Sequence, residues 1–265
     1  MYQSMALNLA ALAALVPAAL LPLRRDGGRD GLFWGLLSLA VAGPSLWVAA
    51  QLADSWNTSL SADLWVGIAA SMVLFAGLSA LSRQAWRLTP LLVPYLLLLG
   101  VLASLFHSPE RFLSDGAPSA WVDLHILVSV ITLGFLTLAA VAALASFLQS
   151  RALKLKRPNE LTRMLPSVAD SERLSERLLA LSEVVLGLGV ISGMATQYLE
   201  TGNLLKFDHK ILFTLLAFTV IGLLLTGRRV CGVRGQLAAR VVLLAYLLLI
   251  IGYFGVKFVH QVLLA

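Results

Sequence analysis

Eight apolar stretches divide this chain, and each is close to the length that crosses a lipid bilayer. A helix needs about 20 apolar residues to span the hydrocarbon core. Strands of a membrane barrel would alternate in polarity, and these stretches do not. The sequence therefore predicts an all-α fold, a polytopic membrane helix bundle with about eight transmembrane helices. We place them near 5–23, 31–53, 63–82, 88–106, 122–148, 177–198, 210–226 and 237–262.

The composition supports a single integral-membrane domain over residues 1–265. Hydrophobic residues make up 59% of the chain and charged residues only 13%, whereas roughly a quarter of an average soluble domain is charged. The first stretch has no convincing small-residue cleavage site before Arg24, so we interpret it as a retained helix rather than a signal peptide.

The basic residues indicate an orientation. They concentrate in alternate loops, and the exceptions on the other side are Arg111, Lys206, Lys210 and Lys257. The positive-inside rule then predicts eight crossings with both termini outside. The net charge of +6 thus orients the protein and contacts anionic lipid, and no nucleic-acid partner is expected.

All four histidines fall at the predicted outer surface, each where an apolar stretch meets a loop. They are His107, His125, His209 and His260. Imidazole is a common ligand of haem iron and of metals, so this face is the best candidate site. The alternative is that each histidine is simply a polar group that extends towards water at the membrane interface.

His125 and His260 are the preferred pair because both lie slightly inside predicted helices. Lys257 shares the polar flank of the last helix with His260. Any of Lys257, Lys206 or Arg111 could face the carboxylates of a haem. His209 is a weaker candidate that begins a helix, with Asp208 favouring the helix N-terminus.

Familiar catalytic signatures are absent from the sequence. There is no phosphate-binding loop, zinc-protease helix or nucleophile elbow. Cys231 is the single cysteine, so an intrachain disulfide, a C-x-x-C redox pair and a covalent c-type haem motif are all excluded. We therefore expect that the protein is not an enzyme.

Three features inside the bundle and its connections lead to further expectations. Glu183 lies within an apolar stretch, where it marks either an ion pathway or, as we prefer, a carboxylate paired with a neighbouring arginine. Gly189 and Gly193 form a small-xxx-small pattern typical of close helix packing. Ser167 or Asp170 is expected to cap the helix that enters the sixth span.

The second half of the chain carries a series of short motifs, strongest over 120–263. They are Leu124-His125, Leu165-Pro166-Ser167, Glu172-Arg173-Leu174, the glycine-rich span 186–193, Gly227-Arg228, 232–235 and Tyr253-Phe254-Gly255-Val256. In this order and topology they resemble the cytochrome c assembly protein family (the CcsA, ResC and HemX group). The eight-span size is most similar to the short YpjD-type members.

The resemblance implies a site at the outer face. Haem-handling members of this family ligate haem through external histidines that flank a tryptophan-rich segment, and His125 and His260 match those two positions. The segment between them, residues 202–210, keeps Phe207-Asp208 where the family pattern has Trp-Asp, but it contains no tryptophan.

The sequence thus favours a haem-handling protein of the bacterial inner membrane. Its implied role is cytochrome c assembly or haem homeostasis, with haem as cofactor and cytochrome c maturation proteins as partners. Two other classes stay open. One is a transporter or ion-handling protein centred on Glu183, and the other is an accessory scaffold without haem.

Overall fold

A computed structural model describes residues 2–23, 28–52, 59–106, 119–202 and 209–259. Within these ranges the regular structure is entirely helical, which confirms the predicted helix bundle. The helices are α1 (Tyr2–Leu20), α2 (Gly31–Leu52), α3 (Leu60–Leu81), α4 (Thr89–Leu105), α5 (Ser119–Lys154), α6 (Glu160–Met164), α7 (Val168–Thr201), α8 (His209–Val230) and α9 (Gly235–Ile250).

Seven helical segments of the described chain are long and apolar enough to cross a membrane, so the protein is a multi-pass membrane protein. They correspond to the second to eighth predicted stretches. α1 contributes the shorter apolar segment Met5–Leu20, which packs against α2 and α4 as part of the bundle. The count of eight crossings and the outward position of both termini stay predictions.

α5 lies at the centre of the bundle. It packs against α3, α4, α7 and α9, and its most extensive partner is α7. Its middle section, 136–143, is buried on every side, as expected for a helix that is apolar around its whole circumference. The peripheral helices instead turn large apolar side chains outward, such as Leu46, Leu81 and Leu223, which suits a lipid environment.

Two helices are longer than a bilayer is thick. α5 and α7 have 36 and 34 residues, or about 50 Å each at 1.5 Å per residue, whereas the hydrocarbon core is about 30 Å thick.

Hydrogen bonds stabilise the connection between α5 and α7. The side-chain amide of Gln149 donates to the carbonyls of Thr162, Leu165 and Pro166. Ser167 caps α7 by accepting from the Asp170 N–H, which confirms the expected cap.

The bundle has two chemically different ends. We call the end that bears the loops 82–88, 155–167 and 231–234 the basic end, because most of the described lysines and arginines lie there. The opposite end contains the first turns of α3, α5 and α8 and the segment after α9. We call it the histidine end.

The last predicted span is not one regular helix. α9 ends at Ile250 and continues as a π-helical turn, Ile251–Gly255, before a final α-helical turn, Val256–Phe258. The predicted span near 237–262 corresponds to the membrane-length segment Gly235–Phe258, and no feature of the sequence indicated the π turn within it. At Gly252 the backbone comes so close to Phe213 that an added Cβ would lie 2.6 Å from the Phe213 Cβ.

Candidate functional site

The side chain of His125 is held in a defined orientation between α5 and α7. Its Nδ1 lies 3.0 Å from Oγ of Ser192. The Ser192 hydroxyl donates its proton to the carbonyl of Gly189 at 3.1 Å, and a hydroxyl has one proton to give. With the Ser192 proton on the Gly189 carbonyl, the Ser192 oxygen accepts from Nδ1–H of His125, and the neutral imidazole then keeps its lone pair on Nε2.

Close helix packing makes room for this imidazole. An added Cβ at Gly193 would lie 3.0 Å from Cε1 of His125, and one at Gly189 would lie 3.5 Å from Val128. The small-xxx-small pair thus serves packing, as expected, and in addition gives the His125 ring its place. The sequence pattern alone did not connect these glycines to the histidine.

A pocket opens beside His125 at the histidine end. Its cavity volume is about 90 Å³, and the space between its walls including the open mouth is about 660 Å³. Its wall is mostly apolar and includes several polar groups. The lining residues are Asp63, Gly67, His125, Ser129, Val130, Thr132, Leu133, Leu186, Gly189, Lys210, Thr214, Leu249 and Tyr253.

An ion pair lies at the edge of this pocket. Lys257 Nζ donates to Oδ2 of Asp63, which joins the first turn of α3 to the last described helical turn. Two cations lie near the ring of Tyr253: Lys210 Nζ is 5.1 Å and Lys257 Nζ 5.6 Å from its centroid. Tyr253 belongs to the π turn, and such turns are frequent at functional sites.

The predicted site residues have different positions. His125 lines the pocket, and Lys257 contacts the pocket wall through Asp63. His209 begins α8, is exposed, and is not among the lining residues. His260, His107 and Asp208 lie outside the described residues, so the pairing of His125 with His260 stays a prediction.

Sequence reasoning missed Asp63, Ser192 and Lys210 as members of one site. Asp63 could have been recognised as a candidate, since it is an acidic residue in the first turn of an otherwise apolar span. Ser192 could not, because serines that bond their own helix are common in α7 and elsewhere in the bundle.

The expectation that Glu183 pairs with an arginine is wrong. Its Oε2 is buried without a hydrogen-bond partner, while Oε1 faces Gly222 of α8, where an added Cβ would lie 3.1 Å away. The arginine at the basic end of α8, Arg228, instead pairs with Glu176 at 3.3 Å. Glu183 faces a helix surface rather than the basic loops.

Comparison with known proteins gives the same assignment as the motifs. The profile of the family described as cytochrome C assembly protein matches residues 36–264. The chain belongs to the cytochrome c assembly protein family. The match covers most of the chain, from within α2 through α9, and includes the whole pocket. It supports a role in cytochrome c biogenesis.

A full-length relative exists in Azospirillum brasilense. It is described as "Uncharacterized 28.8 kDa protein in nifR3-like 5'region" and is 54% identical over 270 residues, with complete coverage of both chains. This member of the cytochrome c assembly family therefore shares its entire length with that relative. No solved structure gives a significant match.

Proposed function

We propose that the protein binds haem in the pocket at the histidine end, with His125 as an axial ligand, and handles it for cytochrome c maturation or haem homeostasis. The observation that carries this proposal is the orientation of His125. Iron-ligating histidines usually donate their other ring N–H to a fixed acceptor. The Ser192 oxygen is such an acceptor, and it leaves Nε2 of His125 as the ligand atom.

The residues around His125 fit the chemistry of haem. Haem is an apolar ring with two carboxylates, and the pocket combines aliphatic walls with the ammonium group of Lys210. Lys257 lies at the edge of the pocket, where it pairs with Asp63 and lies near the ring of Tyr253. When bound, haem would supply an iron centre that takes axial imidazole ligands. His260 remains the proposed second ligand, and His209 and Asp208 remain weaker candidates for contacts.

We place the histidine end on the outer side of the bacterial inner membrane. The positive-inside rule supports this orientation because the loops of the basic end carry most of the arginines and lysines. The pocket then lies at the outer border of the hydrocarbon, where maturation proteins could receive or deliver haem. In this proposal the chain binds and presents haem and performs no bond chemistry itself.

An ion-handling function is the second candidate, and one observation favours it. Glu183 presents a carboxyl oxygen without a partner inside a membrane-spanning segment, and such ionisable groups often mark transport pathways. A solute-dependent phenotype that is altered by Glu183→Gln, with haem binding unchanged, would support this function instead.

The proposal is tested by absorption spectra of the detergent-purified protein, oxidised and reduced, with and without added haem. We expect a low-spin haem signal in the wild type that disappears in His125→Ala and changes in His260→Ala. His209→Ala tests the weaker candidate: this histidine is exposed and does not line the pocket, so we expect a smaller effect than in His125→Ala. A wild type that binds no haem after supplementation would overturn the proposal.

A further inference from the structure

The ion pair between Asp63 and Lys257 has an unusual location. The Asp63 side chain is only 8% exposed and belongs to the pocket wall, while that of Lys257 is 26% exposed. A carboxylate buried inside an apolar bundle is costly unless a cation compensates it. Lys257 supplies that cation from the far end of the sequence, so the pair also closes the bundle between α3 and the segment after α9.

The surroundings of this pair suggest a site for negative groups. Lys210 and Lys257 lie on the ring of Tyr253, at 5.1 and 5.6 Å from its centroid. Among the described residues that line the pocket, Asp63 is the only carboxylate. Asp63 and His125 thus line one pocket with the ammonium group of Lys210, while Lys257 contacts Asp63 at its edge.

We propose that Lys257, with Lys210 beside it, forms a carboxylate-binding subsite that Asp63 occupies before a ligand enters. On binding, Lys257 exchanges the Asp63 carboxylate for a carboxylate of the ligand, while Asp63 remains within the same wall as Lys210. This inference rests on the proposed function, in which the ligand is haem and its carboxylates are the two propionates. Asp63 would then act as an internal competitor that weakens binding and favours release.

The exchange makes a prediction about the ligand charge. A ligand that lacks free carboxylates gains nothing from Lys257 and leaves the Asp63–Lys257 pair intact. A ligand with free carboxylates gains a charge-assisted contact, and it gains more when Asp63 no longer competes. The affinity for the ligand with free carboxylates, divided by that for the ligand without them, therefore measures the contribution of the subsite. The affinity for the ligand without free carboxylates measures the contribution of the His125 contact.

The experiment compares iron protoporphyrin IX with its dimethyl ester, in which both carboxylates are neutral. Each is titrated into detergent-purified protein depleted of bound tetrapyrrole, and the dissociation constants are read from the absorption spectra. We expect the wild type to prefer the free acid. Asp63→Asn should bind the free acid on the order of tenfold more tightly, since one charge-assisted contact is at stake, with little change for the ester.

Variants of the lysine complete the test. Lys257→Gln should lose most of the preference for the free acid, and Lys257→Arg should keep it. His125→Ala should weaken both porphyrins and preserve their ratio. Elution as a single species on size-exclusion chromatography identifies the variants that are folded. If Lys257→Gln is not folded, the double variant Asp63→Asn/Lys257→Gln, which removes both charges, replaces it and should likewise lose the preference.

Two results would overturn the inference, and they are distinguishable. Equal weakening of both porphyrins by Asp63→Asn, or no preference in the wild type, would show that the ion pair is purely structural while haem binding stands. If neither porphyrin binds to the wild type, the proposed function fails and the subsite fails with it.

Discussion

The imidazole of His125 contacts the hydroxyl of Ser192 at 3.0 Å, a hydrogen bond that connects α5 to α7 at the wall of the pocket. The bond holds the rotation of the ring, and with the Ser192 proton directed to Gly189 it leaves the imidazole proton on Nδ1. In the proposed haem site, Ser192 would thereby decide which nitrogen of His125 faces the iron without itself touching the haem.

Ser192→Ala should weaken haem binding without unfolding the protein. Loss of a hydrogen bond behind a ligating histidine typically costs about 10- to 100-fold in affinity. Haem titration followed by absorption spectroscopy measures the effect. Ser182→Ala is the matched control, since Ser182 is equally buried in α7 and donates only to Leu179 of its own helix. Equal affinities in the two variants would contradict the positioning role of Ser192.

Gly193→Ala should destabilise the protein and displace the His125 ring. The new Cβ would lie 3.0 Å from Cε1 of His125, and overpacking of this kind costs about 1–3 kcal/mol. The thermal unfolding midpoint in detergent gives the first readout and the haem spectrum gives the second. For comparison, Gly77→Ala in α3 meets nothing within 4 Å and should be neutral or slightly stabilising. Unchanged stability in Gly193→Ala would argue against the tight contact.

Glu183→Leu should raise the unfolding midpoint. The substitution removes a buried oxygen that has no partner, and an unsatisfied polar group of this kind costs about 1–3 kcal/mol. Glu176→Leu on the same helix is the control variant. It removes the ion-pair partner of the buried Arg228 and should therefore lower the unfolding midpoint. A drop in stability for Glu183→Leu would show that its carboxyl group has a favourable role inside the bundle.

The orientation can be tested with the single native cysteine. Cys231 is exposed in the loop between α8 and α9 at the basic end. A membrane-impermeant maleimide should therefore label it in inside-out vesicles and not in intact spheroplasts. The combined variant Cys231→Ser/His209→Cys carries its thiol at the exposed start of α8 and should show the reverse pattern. Labelling of Cys231 in spheroplasts would show that the orientation in the membrane is the opposite of the one proposed.

The positions of the helices could be predicted from the sequence because the length of an apolar stretch is a local property of the chain. The second to eighth predicted spans each correspond to a helix, and the cap at Ser167 follows from local turn chemistry. Charge distribution likewise separated the two ends of the bundle. These features depend on residues that are close together in the sequence, so they can be recognised from the sequence alone.

The contacts of the site could not be predicted in the same way. Asp63 and Lys257 are 194 positions apart, and only the packing of α3 against the C-terminal segment brings them together. Glu183 was expected to pair with a neighbouring arginine at the inner surface, yet its side chain is directed towards Gly222 of α8. Side-chain partners across helices depend on rotation about the helix axis, which hydropathy does not determine.

The π turn at Ile251–Gly255 also affects how this chain should be aligned with distant relatives. A π turn accommodates one residue more than the corresponding α-helical turn, so the side chains after it are rotated by about 100° relative to an uninterrupted helix with 3.6 residues per turn. Lys257 reaches Asp63 in that shifted register. In a relative whose last helix is regular, the structural counterpart of Lys257 would be found one position away from the residue that an ungapped alignment pairs with it.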